Sequence, residues 1–455
     1  MPVLSGRSKG KMAKKRYAVC GISGRALGMF ISAIIKDFKD VAEVVGLLDI
    51  DTLRFEYAKE RFPELKDVPC YLPAEFDKML NETKPDALLV VCKDCHHVDY
   101  LLKGLENDLD VICEKPLCTN TEDVVKVIQA EKKSKGKVIA TFNYRYAPIH
   151  RKLREMLIQK KVGRITHVDL NWYIDIRHGA SYFNRWNRMR ENSGSLSIHK
   201  ASHHFDLVNW WIDGTPEIVH AFGALNHFGP NGVFNPSKKD GRRCLICEEK
   251  ANCPYVNRWV SRTNQQAAAT ETHMSELLGV ERKYSHDLYV PDRCIFDSEI
   301  NIHDTLIANV RYTNGVLLNY SANFSTPWEG YRLAINGTHG RIECEEWGGV
   351  GHESFPMPGT GKRSLDYYPI FGSKETHWVQ DGVGGHGGGD SVIKEDIFLG
   401  VDPNRDYKIL ADSHDALRSI AIGDAVWNSI KGEKIIDLRK EIPEDIYGEI
   451  KADFE

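Results

Sequence analysis

The chain has 455 residues, enough for more than one hydrophobic core, and its 42% apolar and 27% charged content is that of a soluble globular protein. A formal net charge of −4 supplies no basic surface for nucleic acid. No run is long and apolar enough to cross a membrane. Residues 1–15 are basic and Gly/Ser-containing, without the apolar core of a secretory signal, and are expected to form a disordered leader. Eleven cysteines in such a chain point to reduced thiols in a cytoplasm.

Residues 16–142 read as a dinucleotide-binding domain, a doubly wound parallel α/β sheet. Tyr17–Cys20 is a short strand, followed by the small-residue turn Gly21-Ile22-Ser23-Gly24-Arg25-Ala26 and an apolar helix from Leu27. Small residues at 21, 23, 24 and 26, with Arg25 among them, let backbone N–H groups approach a pyrophosphate at a helix N-terminus. The next strand, Glu43–Leu48, ends at Asp49, 28 residues after Gly21. A carboxylate there accepts hydrogen bonds from ribose hydroxyls and repels a 2′-phosphate, which favours NAD over NADP.

The alternation continues with the apolar strand Ala87–Cys92, which ends in Lys93-Asp94-Cys95-His96-His97. Asp94 and His97 therefore face the cofactor. Val111-Ile112 is a buried strand closed by Cys113-Glu114-Lys115-Pro116. Polar groups at the carboxyl ends of parallel strands stand where such sheets bind ligands. Burial of Lys115 lowers its pKa toward the range of proton transfer. Glu114 and Asn143 complete the candidate cofactor contacts.

Residues 143–455 change pattern. His167–Ile174, Thr305–Tyr312 and Val316–Phe324 alternate, which predicts a large, mainly antiparallel sheet open on one face, with Thr313-Asn314-Gly315 as a hairpin turn. This α+β domain is expected to hold the substrate and to serve oligomerisation. A helix is predicted over Ser202–Trp211. His199, His203 and Asp206 are spaced i, i+4 and i+7, so a continuous helix would put them on one face. That set suits acid/base chemistry or a divalent metal. Lys200, Arg177, His178, Tyr182 and Trp186 mix planar donors with aromatics, as sugar pockets do. The run Gly384–Asp390 is costly to order, which suggests a mobile lid or close approach to a ligand by His386 or Asp390.

The stretch from about 227 to 296 breaks the sheet pattern and holds Cys244, Cys247 and Cys253, with Cys294 at its end. Four such cysteines match the ligand count of a structural zinc site; an iron–sulfur cluster or plain thiols are the alternatives.

Together the Gly21–Ala26 loop, Asp49, Cys113–Pro116, Asn143–Tyr146 and the His199…His203…Asp206 run resemble the Gfo/Idh/MocA oxidoreductases, the glucose–fructose oxidoreductase and inositol dehydrogenase group, from Tyr17 to about Leu438. The resemblance implies an NAD(H)-dependent hydride transfer at a secondary hydroxyl of a sugar, glycoside (at C3) or cyclitol. It assigns Lys115 to orienting the hydroxyl and relaying its proton, and His203 to the general base. It also implies a homodimer or homotetramer. His199 stands where the family carries an aspartate, so a fixed negative charge is missing from that position. A redox-neutral, NAD-retaining glycosidase is the alternative activity.

Overall fold

The computed structural model describes residues 13–255, 292–348, 362–405 and 407–454. The expected leader lies outside them up to residue 12, and Lys15 already opens the first strand.

Six strands form the first sheet: β1 (Lys15–Cys20), β2 (Ala42–Leu48), β3 (Cys70–Tyr71), β4 (Ala87–Val90), β5 (Asp110–Cys113) and β6 (Val138–Ala140). All neighbours are parallel, in the order β3-β2-β1-β4-β5-β6. β4 is buried throughout because helices cover both faces, which is why its sequence is an unbroken apolar run. The chain leaves β1 toward β2 and later returns on its other side as β4. The carboxyl ends of β1 and β4 therefore part and open a crevice. The two-residue β3 is too short to carry a sequence pattern.

The second sheet has nine strands: β7 (Ile165–Asp175), β8 (Pro216–Ala224), β9 (Thr305–Tyr312), β10 (Leu317–Thr326), β11 (Glu329–Gly337), β12 (Gly340–Gly348), β13 (Lys362–Pro369), β14 (Glu375–Gln380) and β15 (Ile436–Asp437). Their order is β14-β13-β12-β11-β7-β10-β9-β8-β15. Pairing is antiparallel except at β10–β7, which run parallel. The long excursion between β7 and β8 carries the helices Ile176–Phe183 and Ala201–Ile212, which hold most of the site. Along β9 and β10 Leu306, Ala308, Val310, Leu318 and Tyr320 face the core, while Ile307 and Leu317 stand about half exposed on the other face. Each large inward side chain contributes roughly 1.5–3 kcal/mol. Gly315 turns between the two strands with φ +84°.

β8 and β9 are antiparallel neighbours, so residues 225–304 are an insertion between them. Asp304 closes its base by accepting the amides of Asn226, His227 and Phe228 at 2.7–3.0 Å. Among the described residues no helix is long and apolar enough to cross a membrane.

Candidate active site

A cleft of about 1500 Å³ runs from the crevice of the first sheet to the helices that follow β7. Its inner end is the turn after β1. Gly21 takes φ +95°, and a Cβ there would lie 2.5 Å from the backbone of Cys92, so only glycine lets β1 and β4 approach this closely. Ser23 Oγ accepts the Ala26 amide and donates to the Val91 carbonyl. The amides of Ser23, Gly24 and Arg25 find no acceptor among the described residues, as expected at a helix start built to receive an anion. Buried Asp49 accepts the Ile22 amide at 2.6 Å and the Asp51 amide at 2.9 Å, so it also shapes the glycine turn it faces. Arg54 lies 4.0 Å from Asp49. His97 bonds the carbonyls of Pro116 and Cys92 and ties the ends of β4 and β5 together. Asn143 is 1% exposed, lines the cleft, and its Oδ1 has no partner. The free loop amides, Asp49 and this orphaned oxygen fit a nicotinamide dinucleotide.

Lys115 and His203 both line the cleft. Lys115 Nζ donates to the His199 carbonyl at 3.1 Å. Burial brings its pKa down to about 8, against the opposing pull of the Asp94 charge. His203 is 2% exposed, and neither ring nitrogen has a hydrogen-bond partner. Burial, and then the neighbouring Lys115 charge, hold its pKa well below the ordinary histidine range, so the ring is neutral. The Tyr144 ring packs edge-on against it at 4.7 Å. An unsatisfied buried imidazole is costly unless something else supplies the partner.

The missing negative charge comes from across the cleft. Asp94 Oδ2 lies 2.5 Å from His199 Nδ1, and Asn187 Nδ2 stands 3.0 Å from His199 Nε2. Burial lowers the His199 pKa and the Asp94 contact counters it. A carboxylate from the end of β4 in the first domain thus pairs with the residue 199 imidazole.

Around this centre, Asp175 caps the helix Ile176–Phe183 and so aims His178, which bonds Glu329 at 2.9 Å and the Tyr182 hydroxyl at 2.7 Å. Despite burial, the His178 contact brings the Glu329 pKa down to about 2. Tyr182 and Trp186 each set a ring edge-on to His199, 5.5 Å between centroids. Lys200 lies over the rings of Tyr144 and Trp172. His386 lines the cleft. Asp390 instead pairs with Arg25 at 3.1 Å and accepts from Asn143 at 2.6 Å, fastening the glycine-rich loop to the turn after β1. Arg25 also bonds Glu114 at 2.8 Å. Arg177 donates its amide to Asp175 and does not line the cleft.

Two expectations are corrected. His199, His203 and Asp206 do not share one helical face, because the helix Leu196–His199 ends before Ala201–Ile212 begins. Asp206 is taken by a buried bidentate pair with Arg145, at 2.6 and 2.8 Å. Nor is the zinc reading of Cys244, Cys247, Cys253 and Cys294 supported. Among the described residues no group of three or more His, Cys, Asp or Glu side chains is placed to hold a metal ion. The cysteines are free, and burial, then the neighbouring Cys294 and Cys253, push the Cys244 thiol up to about 12. Asn187 and Glu329 were missed. Asn187 adjoins the aromatic run at 182–186, whereas Glu329, at the start of β11, carries no local signal.

The description "Oxidoreductase family, NAD-binding Rossmann fold" matches residues 15–142, and "Oxidoreductase family, C-terminal alpha/beta domain" matches residues 154–438. The chain belongs to this Gfo/Idh/MocA family and is an NAD-binding oxidoreductase. It is 47% identical to oxidoreductase YteT of Bacillus subtilis (strain 168) over 427 residues, 94% of this chain and 98% of that protein. Inositol 2-dehydrogenase of Arthrobacter sp. (strain FB24) is 33% identical over 145 residues, 31% of this chain and 41% of that protein. The structure of levoglucosan dehydrogenase in complex with NADH and levoglucosan matches with a TM-score of 0.62 at 14% identity, over 93% of this chain and 99% of that one. Aldose-aldose oxidoreductase from Caulobacter crescentus complexed with glycerol matches with a TM-score of 0.60 at 12% identity, over 93% and 100%. These two likenesses concern the fold.

Proposed function

We propose that the protein oxidises, or in reverse forms, a secondary hydroxyl of a sugar, glycoside or cyclitol, with Lys115 and His203 handling the proton. Oxidation at C3 of a glycoside is the narrower form of this reading. The observation that carries it is the pair of unpartnered, buried His203 nitrogens next to a lysine whose pKa has fallen to about 8. Bound NAD supplies the hydride acceptor. Gly21 to Ala26 and Asp49 would hold its pyrophosphate and ribose ends, the largely exposed Ile50 would cover the adenosine, and Asn143 would receive the carboxamide. His203, neutral, takes the hydroxyl proton. Its own basicity is low, so the proton passes downhill to the Lys115 amine. Asp94 and Asn187 orient His199, whose carbonyl positions Lys115. Tyr182, backed by His178 and Glu329, and Trp186 bound the substrate.

The same reading includes self-association through the open sheet. Phe222 on β8 and Ile307 on β9 are cross-strand partners exposed on its outer face, and light scattering behind gel filtration should return a dimer or tetramer.

The test is absorbance at 340 nm with NAD and a panel of glycosides, free hexoses and inositols. Accumulating NADH with one class is the expected result. Lys115→Ala should keep NADH affinity and lose about 10²–10⁴ in turnover. Wild-type turnover in that variant removes the assignment. Aglycone release without net NADH replaces the dehydrogenase with the redox-neutral glycosidase.

A further inference from the structure

The carboxylates that line the cleft, Asp49, Asp51, Asp94, Asp99, Glu106 and Glu114, all come from the first domain. Arg25, Arg54, Arg61, Lys93, Lys103 and Lys115 of that domain stand among them. Among the described lining residues of the second domain there is no carboxylate, but Arg185, Lys200 and Arg293 are present. Arg293 pairs with Glu299 at 3.1 Å. Arg185 spends Nε and Nη2 on Ser181 and meets no carboxylate among the described residues. Lys200 is 5% exposed and lines the cleft, yet its ammonium has neither a hydrogen bond nor an ion pair among the described residues. The faces of Tyr144 and Trp172 lie 5.6 and 6.0 Å from it, and its charge also acts on Lys115 and His203. The nearest acid that acts on it, Glu329, is committed to His178.

A cation removed from water is unfavourable without an anion to pair with. Neutral sugars ask for something else: their hydroxyls donate, and carboxylates are the strongest acceptors a protein can offer them. The second domain supplies no lining carboxylate among the described residues. A sugar that brings its own anion resolves both features at once. Lys200 directly follows His199, whose carbonyl holds Lys115, so the anion site and the proton relay are one residue apart in the chain. The action of the Lys200 charge on both Lys115 and His203 suits an anion and a reacting hydroxyl on the same small ring.

We infer that the substrate is an acidic sugar, a uronic acid or its glycoside, whose carboxylate pairs with Lys200 while a ring hydroxyl meets Lys115 and His203. Arg185 stands at the same wall and steers the anion inward. The inference rests on the dehydrogenase reading above and narrows it to one substrate class.

The experiment is calorimetric titration of the full chain, loaded with NADH, using matched pairs: D-glucuronate against D-glucose, D-galacturonate against D-galactose, and their methyl glycosides. At least one acid should bind about tenfold or more tightly than its neutral partner, the advantage of a charge-assisted contact. Lys200→Met should abolish that advantage without changing NADH affinity, and Lys200→Arg should keep part of it. Equal affinity within every pair, including no binding by either member, overturns the inference. So does an acid preference that survives in Lys200→Met. The wild-type comparison holds even if a variant does not fold. The two readings fail separately: turnover of neutral sugars with no acid preference removes only the carboxylate, whereas absence of NADH binding removes the dehydrogenase.

Discussion

Asp94→Asn is the sharpest test of how the two domains build one proton relay. Asp94 is 5% exposed, touches His199 Nδ1 at 2.5 Å, and is the foremost charge opposing the burial that depresses Lys115. A neighbouring opposite charge moves a pKa by about 1–3 units. Removing it should bring Lys115 from about 8 to roughly 5–7. The sign follows from which form works. Oxidation needs the neutral amine as proton acceptor, so the wild-type rate climbs with pH and levels off above about 8. In Asp94→Asn the same limb should move down by about 1–3 pH units. The reverse reaction needs the ammonium, so it should lose rate at neutral pH. The plateau should also fall by about tenfold or more, because His199 loses a hydrogen bond to a charged group. Initial rates at 340 nm across pH give the limb. Competitive acetylation of Lys115, read by mass spectrometry, gives its pKa without any substrate. A limb still near pH 8 in Asp94→Asn, with unchanged Lys115 reactivity, would refute the relay.

Two further outcomes follow from the geometry. Gly21→Ala places a Cβ 2.5 Å from the Cys92 backbone at a positive φ, so NADH affinity should fall more than about tenfold with a strain cost of about 1–3 kcal/mol; fluorescence titration that returns wild-type affinity would contradict the close approach. Asp206→Asn removes one of the two carboxylates that pair with buried Arg145, Asp415 being the other, and urea unfolding should show a loss of about 1–3 kcal/mol. NADH affinity of the folded Asp206→Asn fraction should stay near wild type, and a selective loss of turnover at full stability would return Asp206 to the active site.

Some of this was legible along the chain, because the signals are local. Helices on both faces make buried parallel strands read as unbroken apolar runs, as Ala87–Val90 does. A half-buried antiparallel strand alternates, so Thr305–Tyr312 was predicted with its observed ends. The glycine turn, Asp49 and the residues after Cys113 announce themselves because close backbone approach and strand-end chemistry demand particular residue types at particular steps. The later strands β11 to β15 were not read, since register along an open sheet depends on neighbours distant in sequence.

The rest was decided by tertiary structure, through contacts that have no local period. Residue spacing put His199, His203 and Asp206 together, but a helix break at Lys200 takes His199 off that face and the demand of Arg145 for a buried counter-charge claims Asp206. The carboxylate that sequence position 199 lacks arrives from Asp94, 105 residues earlier, because two strands part in one domain and a helix of the other fills the gap. Local sequence sets which elements form and which groups they carry. Only the closing of the two domains over one cleft decides which charges become neighbours, because electrostatic partnership depends on distance in space and on the exclusion of water, and neither is written along the chain.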